Sequence, residues 1–358
     1  MREGFKDNIS AISIDGKSIG QGSTYIIAEI GSNHNGDFEL AKELIDAAAA
    51  AKVDAVKFQA FRADQHYSKH TPNFTYLDAA GHHQSTYDLI HSLEINRDWH
   101  LALMEHSQSR GVTFLSSPCD KEAYQQLQEL GMAAFKVASF DLPDVRLIEE
   151  MARYGKPLIL STGMADYTDI QTALQTMHSV GNEQAILLQC TSLYPAPVQL
   201  SNLASMRTMR QAFGRHVGYS DHTLGDHVCL AAVALGACML EKHFTLSRKM
   251  NGPDHAFAIE PDELALMVQR VRDVEKAMGD GIKNGPRPEE MEMYAKGRRS
   301  IHTKRSFKAG EKIHESDLCI KRPGFGISPR LLKEISGMTL QKDIVEDHWI
   351  SWNDLKDS

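Results

Sequence analysis

Cysteine is scarce in this sequence and unpatterned. The five residues, at 119, 190, 229, 238 and 319, are odd in number and form no CxxC pair, so no disulfide framework is encoded. That is the usage of a reduced, cytoplasmic chain whose thiols are mostly buried. No apolar run is long enough to cross a bilayer, and the opening MREGFKDNIS has no apolar signal core. A surplus of positive charge is missing too. Lys and Arg number 39 against 47 Asp and Glu, a formal net charge of −8, which argues against a nucleic-acid partner. An anionic substrate stays open, because a few lysines in one pocket can outweigh the global sign. No glycine fingerprint follows the first strand, so an open dinucleotide-binding sheet lacks its marker. What is present is a soluble globular balance, 42% hydrophobic and 24% charged, over 358 residues. That length suits one large domain with an appendage, or two domains.

From residue 24 to about 280 one theme recurs. A short apolar or β-branched run ends in polar punctuation and is followed by a helix-period segment. The runs are TYIIAEIG (24–31), VDAVKFQ (53–59), VTFLSSP (112–118), AAFKVAS (133–139), PLILSTG (157–163), AILLQCT (185–191), HVGYSD (216–221) and ACMLEKHF (237–244). Between them lie stretches such as ELALMVQRVRDVEKAM, where Leu264, Met267, Val268, Val271, Val274 and Met278 form a helix stripe. Gly111, Gly131, Gly155 and Gly236 precede strands, where a helix C-cap favours glycine. Strands alternating with helices predict right-handed βαβ units and a parallel sheet. Eight units over about 250 residues predict a (β/α)8 TIM barrel. AISIDGKSIG, before the first run, reads as a β-hairpin turning at Asp15-Gly16 and plugging the barrel bottom. The span 60–111 is long and should hold an extended loop as well as a helix; HHQ at 82–84 reads as exposed loop with no metal role. After the barrel domain (1–280), residues 281–297 read as a Gly- and Pro-rich linker. Residues 298–358 read as a small separate domain of short strands and Gly turns, marginal by itself and docked on something.

In a parallel barrel, chemistry sits at the C-terminal ends of the strands. Those ends carry Glu29 with Asn33, His34 and Asn35; Lys57 with Gln59; Ser116 and Ser117; and Lys136 with Ser139 and Asp141. Then come Ser161 and Thr162; Gln189, Thr191, Ser192 and Tyr194; Ser220, Asp221 and His222; and Glu241, Lys242 and His243. Three lysines, several hydroxyls and two histidines are thus expected at one mouth. Lysines with hydroxyl donors suit a phosphate or carboxylate ligand. Two neutral imidazoles on adjacent strands suit a divalent metal with open positions. Taken singly, a strand-end His is more often structural and a strand-end Lys more often snorkels. Lys57 and Lys136, however, lie inside otherwise apolar strands, where an unpaired ammonium is costly, so a shared anion is the better explanation.

IIAEIGSNHNG, VKFQAF, FKVAS, PLILSTGM, CTSLYPAP, GYSDHT, EKHFT and GPDHAFAIEP, followed by KRPGFGI, closely resemble the sialic acid synthase family, whose members make N-acetylneuraminate, legionaminate and pseudaminate and include a spore-coat polysaccharide branch. The likeness runs from about residue 20 to 355, and the tail resembles that family's antifreeze-like (SAF) domain. The resemblance implies condensation of phosphoenolpyruvate with an open-chain N-acetylated amino sugar, with water addition and loss of phosphate through C–O cleavage. It implies a divalent cofactor, typically manganese, with magnesium or cobalt as alternatives. By matching motifs, His222 and His243 fall at the metal ligands. Lys57, Ser117, Lys136, Ser139, Ser161, Ser192 and Ser220 fall where the family holds phosphoenolpyruvate. Glu29, Asp141, Tyr194 and Asp254 fall at the sugar or reacting centre. Arg322, in KRPGFGI, matches a tail arginine that reaches a partner's barrel, which implies a domain-swapped homodimer. Two departures bear on the sugar: ASFD places Asp141 where N-acetylneuraminate synthases carry Glu, and Ser192 stands where some members have Asn. ASF is nearer to pseudaminate-type and spore-coat members.

Two rival functions are distinguishable. Another metal-dependent barrel aldolase, or a DAHP-synthase-like condensing enzyme, would share a phosphoenolpyruvate or pyruvate site. A non-catalytic glycan- or ice-binding protein would use the tail, but HTKRSFKAGEKIHESD is charged and irregular where ice binding needs a flat Thr array.

Overall fold

The computed structural model describes residues 9–73 and 84–356. His82 and His83, and most of the N-terminal stretch read for a signal core, lie outside the described residues. The chain forms two compact units, Met1–Gly281 and Ile282–Ser358.

In the first unit β1 (Ile12–Ile14) and β2 (Lys17–Ile19) form the expected hairpin. Asp15 and Gly16 both take positive φ, 48° and 77°, as a two-residue primed turn requires. Eight strands follow: β3 (Tyr25–Gly31), β4 (Ala55–Ala60), β5 (Thr113–Pro118), β6 (Phe135–Val137), β7 (Leu158–Ser161), β8 (Ala185–Cys190), β9 (His216–Asp221) and β10 (Met239–His243). They pair in parallel in sequence order, and β10 closes on β3. This is the closed (β/α)8 barrel. Helices alternate with the strands, at Phe38–Ala50, His100–Ser109, Lys121–Glu129, Val145–Ala152, Tyr167–Ser179, Ser205–Phe213, His227–Ala234 and Pro261–Ala277. Along the last, Leu264, Met267, Val268 and Val271 are buried as the stripe predicts, while Met278 is its exposed C-cap. The segment after β4 adds short helices at Ala63–His66 and Thr86–Ser92.

Side chains of a strand alternate between faces, so each barrel strand has an inward and an outward set. Ile26, Val56, Phe114, Leu160, Tyr219 and Leu240 join the layer between barrel and helices. Ile27, Ala55, Leu115, Ile159, Ile186 and Met239 form a separate apolar cluster with Ile12, Ile14 and Ile19 of the hairpin, which therefore plugs the barrel bottom. Full burial of each isoleucine, leucine or methionine in this cluster is worth about 1.5–3 kcal/mol, and a polar layer lies above it. That layer is the continuation of the inward set: Glu29, Lys57, Ser117, Lys136, Ser161, Ser220 and Glu241.

The same alternation corrects one expectation. Lys242 does not join the mouth. It lies one residue from inward Glu241 and His243, and so falls in the outward set. Its Nζ is 2.6 Å from Asp221 Oδ2 and donates to the Thr223 carbonyl at 2.6 Å, with both side chains buried. Cys229, on the helix outside β9, donates to the same carboxylate. The pair neutralises itself between barrel and helix.

In the second unit, β11 (Ser300–Thr303) and β12 (Leu318–Lys321) pair antiparallel. Its core gathers Ile301, Phe307, Ile313, Leu318, Ile327, Leu340 and Ile350. Residues read as linker include a turn at Pro288–Glu290 and a helix, Met291–Gly297, to which Gly324 N donates at Ala295 O.

Candidate active site

The C-terminal ends of the strands open into one cavity of about 670 Å³. The barrel residues matched to the family's motifs all line it: Glu29, Lys57, Ser117, Lys136, Ser139, Asp141, Ser161, Ser192, Tyr194, Ser220, His222, His243 and Asp254. Of the other strand-end residues, Gln59 and Glu241 line it too, whereas Asn33, His34, Asn35, Ser116, Thr162, Gln189, Thr191, Asp221 and Lys242 do not. Arg322 belongs to the second unit, where its side chain is exposed.

At the floor is a buried row of alternating charge. Lys57 Nζ lies 2.6 Å from Glu29 Oε2 and 3.7 Å from Glu241 Oε2. Lys136 Nζ lies 3.0 Å from Glu241 Oε1. Lys57 also donates to Ser117 Oγ at 3.2 Å, Ser220 Oγ to Glu241 Oε1 at 3.1 Å, and Gln59 to Glu29 Oε1 at 2.7 Å. Burial opposes every one of these charges, and the partners decide the outcome. Burial works to lower Lys57, but Glu241 and Glu29 outweigh it and hold the ammonium above its ordinary value. Burial works to raise Glu241, but Lys136 and Lys57 bring it down to about 2. Glu29 is pushed up by burial and by the charge of Glu241, against the pull of Lys57. Glu241 carried no assigned role in the sequence, although its alternation with Met239 and His243 places it inward.

The chain is locally shaped for this row. The β3–β4 register shifts between Glu29 and Gly31, and Gly31 sits at φ 56°. A Cβ there would stand 3.1 Å from both Gln59 Nε2 and Glu29 Oε1, crowding the bond that orients Glu29. At Gly163 a Cβ would collide with the hydroxyls of Ser192 and Ser139 and with Cys190 Sγ. Gly163 N instead donates to Ser139 Oγ at 3.0 Å. The hydroxyls of Ser161 and Ser192 are buried with no hydrogen-bond partner among the described residues. They are donors suited to anionic oxygens.

Beside the row stand two imidazoles with ring centroids 5.4 Å apart. His222 Nδ1 is 2.7 Å from the Thr191 carbonyl, which only accepts, so Nδ1 carries the proton. Burial lowers the pKa of His222, and burial with the charges of His222 and Lys57 lowers that of His243 well below the ordinary value. Both rings are therefore neutral, and His222 keeps an unprotonated Nε2, which is the arrangement a divalent cation needs. The donor set thus fits such a group. Tyr194 packs on His222 at 4.4 Å between centroids, and Phe257 on His243 at 5.0 Å. Asp254 Oδ2 lies 3.6 Å from His243 Nδ1. The loop after β10 that brings it there is tied to the turn after β3, where Asn33 Nδ2 donates to Phe244 O and His255 bonds Asn35 Oδ1, and to β10 itself, where Ile259 N donates to His243 O. Burial and the charge of Glu29 hold the Asp254 carboxyl up at about 7.

The segment after β4 supplies an apolar wall, in which Phe61, Leu89 and Leu93 cluster with Ile90 and Cys119. Composition did not reveal this wall, since its members come from one short helix and from the loops after two different strands. Asp141 stands near it, its carboxyl raised by burial.

The model of the NeuB family matches residues 44–283 and that of the SAF domain residues 298–356. The chain is 41% identical over 330 residues, 91% of its length and 98% of the relative's, to N,N'-diacetyllegionaminic acid synthase of Campylobacter jejuni. It is 38% identical over 358 residues, 99% of both lengths, to the protein of the same name from Legionella pneumophila. The crystal structure of N-acetylneuraminic acid (sialic acid) synthetase from Leptospira borgpetersenii, in complex with citrate, matches with a TM-score of 0.71 and 34% identity, covering 79% of this chain and 94% of that one.

Proposed function

Because the chain belongs to the NeuB family, we propose that its barrel condenses phosphoenolpyruvate with an open-chain N-acetylated amino sugar, releasing phosphate and a nonulosonic acid. The observation that carries this reading is the floor of the cavity. Two buried ammonium groups, balanced by two carboxylates and surrounded by hydroxyls, lie beside two neutral imidazoles.

Lys57 and Lys136, with the hydroxyls of Ser117, Ser139, Ser161, Ser192 and Ser220, hold the phosphate and carboxylate and orient the enol carbon toward the aldehyde. A divalent cation held by His222 and His243 would polarise the aldehyde oxygen as a Lewis acid. The carboxyl of Asp254, poised near neutrality, is suited to give a proton to that oxygen as the carbon–carbon bond forms. Positive charge then develops at the phosphate-bearing carbon. The Glu29 carboxylate favours that charge and orients the water that adds there. Loss of phosphate by C–O cleavage leaves the keto acid. Tyr194, against His222, and Asp141, on the opposite wall, border the sugar.

The apolar wall of Phe61, Leu89, Ile90 and Leu93 favours a sugar rich in methyl groups, such as a deoxy, diacetamido hexose, over a fully hydroxylated one. This agrees with the product named for the Campylobacter and Legionella relatives. The test is phosphate release from phosphoenolpyruvate with a panel of mono- and diacetamido hexoses. Turnover with a diacetamido sugar and little with N-acetylmannosamine is expected. Cleavage of a nonulosonic acid without phosphate chemistry, or no phosphate release with any sugar, would remove the reading.

A further inference from the structure

A second group of potential ligands lines the same cavity, apart from the two imidazoles. His66, Cys119 and Asp141 place a ring nitrogen, a sulfur and a carboxylate oxygen all within 4.8 Å of one another. His66 Nε2 is 3.7 Å from Asp141 Oδ1, and Cys119 Sγ is 3.6 Å from Asp141 Oδ2. The first separation is too long for a hydrogen bond and the second is a weak one. They engage different oxygens of the carboxylate, so a small rotation of Asp141 would bring one oxygen to both. With metal–sulfur bonds near 2.3 Å and metal–nitrogen or –oxygen bonds near 2.1 Å, the edges of a tetrahedral site are about 3.4–3.6 Å, which asks the three donor atoms to draw in from within 4.8 Å of one another.

The three come from consecutive ends of the barrel. His66 closes the short helix after β4, Cys119 follows β5, and Asp141 lies in the turn after β6. Backbone bonds hold two of them in place: Cys119 N donates to Ala60 O at 3.2 Å, and Asp141 N to Ala138 O at 3.0 Å. The His66 ring is braced edge-on by Tyr67 at 5.0 Å. Ligands placed by a rigid scaffold need little reorganisation to close on an ion.

We propose that His66, Cys119 and Asp141 bind one thiophilic divalent cation of the zinc, cobalt or cadmium class at the cavity wall, with its fourth position facing the cavity. Sulfur with nitrogen and one carboxylate selects such ions over magnesium or manganese. On binding, the Cys119 thiol gives up its proton to solvent and the thiolate becomes a ligand. The ion would stand beside the apolar wall, separate from any ion held by His222 and His243.

The experiment titrates chelator-stripped protein with cobalt and follows the sulfur-to-cobalt charge-transfer absorption. This band reports a thiolate ligand and is silent for a site made of two imidazoles. It requires no turnover, so it stands or fails independently of the proposed condensation. In His222→Ala, where the two-imidazole site does not compete, one equivalent should saturate the band, and zinc should displace it. Cys119→Ser should abolish it, and His66→Asn should weaken cobalt by about tenfold or more. His222→Ala should retain it. No band at saturating cobalt, a band that survives Cys119→Ser, an affinity unchanged in His66→Asn, or loss of the band in His222→Ala would each overturn the proposal. Circular dichroism establishes that the variants are folded; if Cys119→Ser is not, the His66→Asn titration decides.

Discussion

Replacing Lys136 by Met removes one ammonium from a buried row of four charges, and two separate losses follow. The first is stability. Glu241 is left with Lys57 at 3.7 Å and the Ser220 hydroxyl, having lost a partner at 3.0 Å. A carboxyl held at about 2 instead of its ordinary 4.5 contributes about 3 kcal/mol at neutral pH. Its folded value lies below the unfolded one, so this contribution is present above pH 4.5 and is lost as pH falls toward 2. Breaking a buried pair costs about 3–5 kcal/mol, and the remaining contact with Lys57 places Lys136→Met near the lower end. The second loss is ligand affinity: about 1.5–3 kcal/mol for a charged hydrogen bond, or roughly 10- to 150-fold for phosphoenolpyruvate. Adding Glu241→Gln separates the two. With no charge left stranded, denaturant unfolding of the double variant should recover most of the stability. Isothermal titration with phosphoenolpyruvate should show no recovery of affinity. If the double variant binds phosphoenolpyruvate like the unaltered protein, Lys136 serves only to neutralise Glu241, and the anion site is misassigned.

The outward pair gives a contrasting result: Lys242→Met strands Asp221 and should cost about 3–5 kcal/mol in denaturant unfolding while phosphoenolpyruvate affinity stays unchanged; a large affinity loss in folded protein would contradict the outward placement. Either His222→Ala or His243→Ala should abolish phosphate release and leave the circular dichroism spectrum intact, and near-normal turnover in chelator-stripped buffer would defeat the assignment. His34 is buried, its Nδ1 accepts from Gly36 N, and burial holds it at about 4 against an ordinary 6.5; because the folded value is depressed, stability present above pH 6.5 is lost as pH falls toward 4, about 2 kcal/mol between pH 7 and 5. Denaturation midpoints should therefore drop less over that interval in His34→Gln, and an equal drop would show that another group is responsible. The resemblance implies that Arg322 serves a second copy's barrel, so mixing inactive Arg322→Ala and His243→Ala proteins under subunit exchange should restore part of the activity; exchange without recovery would remove the swapped arrangement.

The architecture and the polar floor of the cavity were legible in the sequence; the apolar wall of Phe61, Leu89, Ile90 and Leu93 was not. Polar punctuation after each apolar run marked eight strand ends, and the barrel topology needs little more, because sequential parallel strands with short crossovers have one common way to close. Lys57 and Lys136 were legible because an ammonium in an apolar strand demands a partner. The hairpin was legible from Asp15-Gly16, and its place at the barrel bottom was expected from its position before the first barrel strand. Tertiary structure decided which charges meet. Lys242 and Lys136 both end strands, yet one faces the helices and binds Asp221 while the other faces the cavity and binds Glu241, 105 residues away. A one-residue step along a strand reverses the face, so a list of strand-end residues does not by itself separate the two sets. The near-neutral carboxyl of Asp254 arises from burial and from Glu29, which sit on different elements. His66, Cys119 and Asp141 share no spacing or motif. They meet because neighbouring strands of a closed barrel deliver their C-terminal ends to one rim, a proximity created by closure and absent from the linear order.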